Sequence, residues 1–166
     1  QVLGSKVTEK ADVVIVSSHP ADQDFWQSPK AMYGAEPALK GDRGGTMIMI
    51  SPNYEGIGPH PEYPEYMARD DGDAIVRACI AGEAIPGDRL AIAVGNSMSK
   101  MRRRRKLVVV GDGVTGEQMS ACGCKYYPLS ALQQAIDDAV AEYEGCRVAA
   151  MSGGAEAFLY DEGESI

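Results

Sequence analysis

The chain reads Asp12-Val-Val-Ile-Val-Ser17 near its start, and this short apolar run decides the fold more than any other segment. Val13 to Val16 are all apolar and β-branched, as expected of a strand that is buried on both faces of a sheet. The runs Thr46-Met-Ile-Met-Ile50 and Leu107-Val-Val-Val110 have the same character. We therefore place buried strands at these three positions.

Helical patterns fill the segments between these strands. We expect helices within residues 24–39, from Asp71 to Ala81, from Asp88 to about Arg103 with Asp88 as N-cap, near Gly116 to Ala121, and after Ser130, whose spacing to Gln133 matches a capping box. A last strand is expected from Arg147 to Met151. This alternation predicts an α/β domain with a mostly parallel sheet covered by helices on both faces. With 45% hydrophobic content, residues 1–166 can bury one core and are expected to form a single domain.

Composition narrows the class of protein. The net charge of -8 argues against a general nucleic-acid binder, because phosphate neutralisation normally needs a net basic face. No stretch of about 18 apolar residues occurs, so we expect no membrane span. Four cysteines are too few for a disulfide scaffold and are better explained as reduced thiols of a cytoplasmic protein. The chain begins at Gln1 rather than at methionine, and we expect it to be part of a longer protein.

The most informative motif follows the first strand and reads His19-Pro-Ala-Asp-Gln-Asp-Phe-Trp-Gln-Ser-Pro-Lys30. Ligands of parallel α/β sheets bind outside the carboxyl ends of the strands, where helix N-termini offer donors to anions. If a helix has begun by Trp26, then Gln27 and Lys30 share one of its faces. Ser28 as N-cap, followed by the proline, is equally compatible with the sequence. The motif predicts an anion site, although a surface lysine beside a core tryptophan would give the same pattern.

Several motifs together carry a family resemblance. The specific block comprises Ala11-Asp-Val-Val-Ile-Val16, Pro20, Asp22-Gln23, and an aromatic-Gln-x-x-Lys pattern at Trp26, Gln27 and Lys30. Further motifs are Gly44-Gly45-Thr-Met-Ile-Met-Ile50, Glu55-Gly56-Ile-Gly58 and Leu129-Ser-Ala-Leu-Gln-Gln-Ala-Ile136. With these motifs, which extend over most of its length, the chain resembles the C-terminal domain of nickel-dependent lactate racemases.

The resemblance implies a reaction that this chain does not carry out alone. In that two-domain family the N-terminal domain holds a nickel-pincer nucleotide, a histidine ligand to nickel and two histidine bases. Hydride transfer to and from the nucleotide inverts the hydroxyl-bearing carbon of a 2-hydroxy acid. The resemblance assigns binding of the substrate carboxylate to Gln27 and Lys30 of this chain. The fragment is then expected to have no catalytic residue, metal or cofactor of its own, and to be inactive without its N-terminal domain.

Two departures from the family pattern bear on the substrate. Trp26 stands where the family usually has tyrosine, which removes a hydroxyl from the expected site. A tryptophan that the family places later has no counterpart from Asp88 to Met101. These departures favour a different or bulkier 2-hydroxy acid in place of lactate.

A second candidate element is the loop Asn53-Tyr-Glu-Gly-Ile-Gly-Pro-His-Pro-Glu-Tyr63, which should reach the same sheet edge because it also follows a strand. Gly56 and Gly58, next to Glu55, permit a close approach of the main chain to a ligand. His60 has the chemistry of an acid-base catalyst at neutral pH. A solvated loop histidine between two prolines is the more ordinary interpretation, and the family's bases lie in the other domain.

Two other patterns suggest a competing function, that of a noncatalytic ligand- or nucleotide-binding module. Gly111-Asp-Gly-Val-Thr-Gly116 matches the dinucleotide-binding G-x-G-x-x-G pattern, and Arg102-Arg-Arg-Arg-Arg105-Lys106 is a basic run that could bind phosphates. The glycine pattern lacks the acidic residue that such a site needs after the next strand, so a tight turn is simpler. The basic run is better explained as a solvated helix end that opposes the helix dipole.

Cys122-Gly-Cys124 has no second pair at zinc spacing and predicts no metal site.

Overall fold

The elements of the fold are seen in a computed structural model that describes residues 4–160. In chain order the strands are β1 (Gly4–Lys6), β2 (Val13–Ser17), β3 (Thr46–Ile50), β4 (Lys106–Val110), β5 (Lys125–Tyr127), β6 (Val148–Met151) and β7 (Phe158–Tyr160). The helices are α1 (Lys30–Ala35), α2 (Tyr63–Ala68), α3 (Gly72–Ile80), α4 (Arg89–Arg102), α5 (Gly116–Ala121) and α6 (Leu132–Val140). Short 3-10 turns cover Glu36–Ala38 and Leu129–Ala131. Among these elements no helix is long and apolar enough to cross a membrane.

A five-stranded sheet of order β5-β4-β3-β2-β6 forms the centre of the domain, and all its neighbouring strands are parallel. The three strands predicted from their apolar runs are its three inner strands. In register, Val16 of β2 lies beside Met49 of β3 and Met151 of β6. Strands β1 and β7 pair with each other, also in parallel, in a separate two-stranded sheet. The prediction of an α/β domain with a mostly parallel sheet is confirmed.

Alternate residues of the inner strands build two hydrophobic cores, one on each face of the sheet. The core on one face joins the sheet to buried residues of α1, α2, α4 and α5, and its strand members are Val14, Val16, Met47, Met49, Leu107 and Val109. The core on the other face contains Val13, Ile48, Val108, Val110 and two alanines of α6, Ala135 and Ala139. Successive residues of an inner strand point alternately into the two cores, so both faces of the strand are buried. This explains the continuous apolar runs. Helices therefore cover both faces, as predicted.

The first predicted helix is shorter than its expected range of residues 24–39. It begins at Lys30, after Pro29 as N-cap, and residues 25–28 form a separate turn. Proline disfavours helical geometry in the residue before it, so the helix does not extend back through Ser28. The Ser28 hydroxyl caps nothing and is buried without a hydrogen-bond partner. Neither of the two helix starts considered from the sequence is therefore the one observed.

Two predictions about helix starts differ in outcome. Asp88 is the N-cap of α4, and its Oδ1 accepts a hydrogen bond of 2.9 Å from the Leu90 N–H, as predicted. The capping box at Ser130 and Gln133 is wrong, because α6 begins at Leu132 after a 3-10 turn and has no side-chain cap. A capping box is instead formed by Thr115 and Gln118 at the start of α5.

The arginine run after α4 is tied into the fold. Arg105 is only 7% exposed, and its guanidinium bonds the Glu36 carboxylate and three main-chain oxygens of the loop at residues 40–44. Arg102 donates to two carbonyls at the end of α2. A guanidinium carries five donors, so one side chain can satisfy several carbonyls that a loop or helix end leaves unpaired. The prediction of a solvated helix end is wrong for these two arginines, while the two arginines between them are exposed.

Candidate functional site

Two loops meet at the carboxyl edge of the sheet, one after β2 and one after β3. They are joined by four main-chain hydrogen bonds of 2.8 to 3.0 Å, from Asn53 to Asp22, from Glu55 to Gln23, from Phe25 to Gly56 and from Trp26 to Ile57. The loop at residues 53–60 therefore lies beside the motif at residues 22–30, as its position after the neighbouring strand predicted. The site is thus built from two rigidly joined segments.

Glycine is required where the two loops approach most closely. Gly58 has φ of +96°, and a Cβ atom there would lie 2.9 Å from both the Asp24 Cγ and the Trp26 Cβ. The close approach that Gly58 allows is therefore an approach to the neighbouring loop. Gly56 has φ of +74°, and a Cβ atom there would meet nothing nearer than 3.9 Å.

The glycine pattern after β4 also serves loop packing. A Cβ atom at Gly111 would lie 1.9 Å from the Ser51 carbonyl oxygen, and one at Gly113 would lie 2.0 Å from that of Asn53. These glycines are needed where the loop after β4 lies against the loop after β3, and the chain bends at residues 112–114. The loop after β4 is thereby packed against the loop after β3.

Gln27 and Lys30 come together at the start of α1. The Gln27 N–H donates to the Asp24 carboxylate at 2.8 Å, which fixes the turn before the helix. The Lys30 ammonium, on the first residue of α1, donates to the Gln27 Oε1. A lysine can only donate, so this bond directs the Gln27 amide nitrogen, with its two N–H groups, away from Lys30. The pair presents several N–H donors and no free acceptor oxygen, as suits a carboxylate ligand.

The helix start itself offers little to an anion. The main-chain N–H groups of Lys30, Ala31 and Met32 already donate to the carbonyls of residues 27–29, at 3.0 to 3.1 Å. An anion here would depend on the side chains of Gln27 and Lys30. The backbone donors expected at this helix start are therefore already occupied.

An aromatic cluster adjoins the pair. The Trp26 ring lies 4.0 Å from the His60 ring and 5.1 Å from the Tyr63 ring, measured between centroids. Tyr63 also packs against Phe25 at 6.0 Å, and it is fully buried. Burial raises the pKa of the Tyr63 hydroxyl well above its usual value, so this group stays protonated. Two residues of the motif thus anchor a buried aromatic core beneath the loops.

His60 is held on both sides. Its ring packs on Trp26, and its Nδ1 lies 2.6 Å from the Asp88 Oδ2. Sequence reasoning identified Asp88 only as a helix cap and did not connect it with His60. The Asp88 carboxylate makes both contacts: its Oδ1 caps α4, and its Oδ2 pairs with the His60 imidazole. A histidine and a helix cap 28 positions apart carry no sequence signal of contact, and only the fold brings them together.

The remaining predicted loop residue, Glu55, lies at the outer side of the site. Its Oε1 accepts a hydrogen bond of 2.8 Å from the Gln23 Nε2, and both residues are exposed. This contact adds a side-chain tie to the main-chain bonds that join the loops. The structure therefore places Trp26, Gln27, Lys30, Glu55, Gly56, Gly58 and His60 along one pair of connected loops.

The two features of the competing binding module are not neighbours. The arginine run precedes β4 and the glycine pattern follows it, so the length of a five-residue strand, about 16 Å, separates them. Arg102 and Arg105 are also occupied by the protein's own carbonyls and carboxylates. One phosphate-bearing ligand of ordinary size could not use both features as a single compact site.

The described part of the chain has no grouping of side chains typical of a metal site. Within residues 4–160, no three His, Cys, Asp or Glu side chains are grouped so that they could hold a metal ion. Cys122 and Cys124 are buried, and burial raises the pKa of the Cys122 thiol to about 12 and that of Cys124 as well. Thiols with such pKa values remain protonated at neutral pH, whereas metals are bound by the thiolate form.

Comparison with known proteins identifies the family. The sequence matches the family described as lactate racemase C-terminal domain over residues 7–149, and no curated protein matches the chain. Its structure is similar to that of the lactate racemase apoprotein from Thermoanaerobacterium thermosaccharolyticum, with a TM-score of 0.66 and 20% sequence identity. That similarity covers 92% of this chain and 36% of the racemase, so the chain spans about a third of the racemase's length. The family match over residues 7–149 shows that the chain belongs to the lactate racemase C-terminal domain family.

Proposed function

We propose that this chain is the substrate-binding domain of a 2-hydroxy acid racemase or epimerase and that Gln27 and Lys30 bind the substrate carboxylate. The observation that carries the proposal is the bonded Gln27–Lys30 pair at the carboxyl edge of the sheet, in a chain of the lactate racemase C-terminal domain family. Its ammonium and amide N–H groups match the acceptor oxygens of a carboxylate, and charge-assisted bonds of this kind contribute about 1.5 to 3 kcal/mol.

Each part of the motif has a role in this proposal. Lys30 supplies a full positive charge, and Gln27 supplies two neutral donors that fix the orientation of the carboxylate. Trp26, which precedes Gln27 and packs on His60, would line the site with an apolar ring. Holding the carboxylate in one orientation sets the position of the adjacent carbon, where the configuration changes, and such positioning lowers the barrier of the chemical step. The chain's own contribution is therefore binding and orientation.

The chemistry of inversion is assigned to a part of the enzyme beyond these residues. Residues 4–160 offer no group of side chains suited to nickel, so this part of the chain does not fit as the holder of the metal. The family resemblance implies a nickel-pincer nucleotide on an N-terminal domain, where it would accept and return the substrate hydride. We place the substrate cleft between that domain and the loops at residues 22–30 and 53–60. We also place the protein in the cytoplasm, in line with the free thiols of its four cysteines.

Replacing Lys30 tests the proposal. In the full-length enzyme, Lys30→Ala should lower kcat/KM for racemisation of 2-hydroxy acids by about tenfold to a hundredfold, the equivalent of losing a charge-assisted bond. Lys30→Arg should restore only part of the lost kcat/KM, because a planar guanidinium group does not place its charge where a compact ammonium group does. Racemisation is measured by chiral chromatography of a panel that includes lactate, glycerate and 2-hydroxybutyrate.

A matched control separates the site from a general effect of charge. Lys100 is also exposed and lies on α4, where it pairs with Asp73. Lys100→Ala removes the same charge from the chain and should leave kcat/KM unchanged. The midpoint of urea unfolding should be nearly the same for all three proteins, since an exposed lysine contributes little to stability. Unchanged activity in Lys30→Ala would remove Lys30 from the site and with it the proposed role of this domain.

A further inference from the structure

Both partners of the contact between His60 and Asp88 are held in place by further contacts. The carboxylate is fixed by its second oxygen, which caps α4 through the Leu90 N–H. The ring is fixed by packing on Trp26, whose main-chain N–H bonds the Ile57 carbonyl of the same loop. The imidazole is therefore held by a helix cap on one side and by the binding motif on the other.

This arrangement leaves one ring nitrogen for a ligand. The Nδ1 atom faces the Asp88 Oδ2 at 2.6 Å, and this ion-pair contact turns that side of the ring toward the carboxylate. The His60 side chain is 20% exposed, and no residue in the described part of the chain bonds its Nε2. An oriented imidazole with a free nitrogen thus stands beside the residue that precedes Gln27.

We propose that His60, oriented by Asp88, recognises a hydroxyl on the substituent at carbon 2 of the substrate, so that the preferred substrate is a 2-hydroxy acid with a hydroxylated side chain. This inference rests on the proposed function, in which Gln27 and Lys30 bind the carboxylate of the same molecule. His60 is then a residue that determines specificity, and Asp88 is a positioning residue that acts through it.

The chemistry of the free nitrogen favours a hydroxyl over the alternatives. In the neutral ring with its proton on Nδ1, Nε2 is an acceptor, and in the protonated ring it is a donor. A hydroxyl group can pair with either form because it both donates and accepts. A methyl group pairs with neither and would leave the ring nitrogen without a partner. A polar group in a binding site discriminates strongly against an analogue that cannot bond to it.

The test compares two acids of equal size in the full-length protein. Glycerate and 2-hydroxybutyrate differ in carrying a hydroxyl or a methyl group at carbon 3. For the wild type we expect kcat/KM to favour glycerate by about tenfold. In His60→Phe, which keeps a ring on Trp26 and removes the nitrogen, this ratio should fall to about one. A purely structural role of His60 would lower both values together and leave the ratio unchanged.

A binding measurement makes the test independent of turnover. Calorimetric affinities of the full-length protein for the same two acids should show the same preference and the same loss in His60→Phe. Tyr160→Phe is the control, since it removes a hydroxyl from a ring on β7 that is 37% exposed and lies outside both loops of the proposed site. That variant should keep the wild-type ratio in both measurements.

The outcomes separate the two proposals. If Lys30→Ala weakens both acids equally while His60→Phe leaves their ratio unchanged, carboxylate binding stands and recognition by His60 is overturned. If the wild type binds glycerate preferentially through His60 but racemises neither acid, recognition stands and the racemase function fails. If the wild type neither binds nor racemises these acids, both proposals are overturned.

Discussion

Gly56 and Gly58 stand two residues apart in one loop, both with positive φ, and they differ in what a side chain would meet. Gly56→Ala should cost only the strain of a left-handed alanine, about 1 kcal/mol. Gly58→Ala should cost about 2 to 4 kcal/mol, because its Cβ would also press on Asp24 and Trp26. Urea unfolding of both variants measures the difference. Equal losses would mean that the two loops are not in close contact at Gly58.

At the same scale, the sequence predicted part of the candidate site. The spacing of Gln27 and Lys30 predicted that their side chains share a face if a helix had begun by Trp26. The helix begins at Lys30 instead, and the two side chains meet across the turn before it. The pairing of His60 with Asp88 could not be predicted in this way, because it depends on how α4 packs against a loop from a different part of the chain. Local spacing is visible in a sequence, and contacts across the fold are not.

Among the helices, the two capping-box sequences give a direct contrast. Thr115→Ala should lower the free energy of unfolding by about 1 kcal/mol, since Thr115 and Gln118 satisfy two N–H groups at the start of α5. Ser130→Ala should change it by less than about 0.5 kcal/mol, because no side chain caps α6. Chemical denaturation of the two variants is the measurement. A larger loss for Ser130→Ala than for Thr115→Ala would contradict the observed helix starts.

The elements that the sequence did not predict are helix α2 and the short strands β1, β5 and β7, and their causes differ. Helix α2 begins at Tyr63, the last residue of the expected loop, and Pro64 lies in its first turn, where proline is tolerated. Strands β1, β5 and β7 have three residues each, too few to show a hydrophobic period. β1 and β7 also depend on pairing across almost the whole described chain. The long apolar runs of β2, β3 and β4 were predictable because burial on both faces constrains every position.

Asp12 links the start of β2 to its neighbours, and its carboxylate makes stability depend on pH. Its Oδ2 accepts bonds from the Lys40 ammonium at 2.7 Å and from the Arg147 N–H at 2.9 Å. These bonds lower the pKa of Asp12 in the folded protein below its ordinary value of 3.8. A lowered folded pKa gives stability that is fully present above pH 3.8 and is lost as the pH falls through the folded pKa.

Asp12→Asn should therefore lower the urea midpoint at pH 7, and its difference from the wild type should shrink as the pH falls below about 4. Asp42→Asn serves as the control, because Asp42 is exposed in the nearby loop after α1. That variant should follow the wild type at each pH. A difference for Asp12→Asn that stays constant down to pH 2 would contradict the role of its ionised form.

For the whole molecule, the two ends of the sheet have different tasks. At the amino ends of the strands, Arg105 and Asp12 tie loops and strands together through bonds to main-chain groups. At the carboxyl ends, three loops pack on one another through glycines and present the donors of Gln27 and Lys30 outward. In the proposed function, the exposed side chain of Lys30 serves ligand binding and the glycines serve loop packing, so substitution of Lys30 should change activity with little effect on folding.

The same division of tasks predicts how the chain behaves toward nickel when it is purified as residues 1–166. Its two histidines each pair with a carboxylate, His19 with Asp22 and His60 with Asp88, and they lie on different loops. No three ligating side chains come together within residues 4–160, and tight nickel sites need several ligands at fixed geometry. We therefore expect the folded chain to retain far less than one nickel ion per molecule after dialysis against metal-free buffer. Mass spectrometric metal analysis, with circular dichroism of the same sample to verify folding, makes the measurement. Nickel retained in near-stoichiometric amount would show that this domain holds the metal itself and that the proposed division between binding and chemistry is wrong.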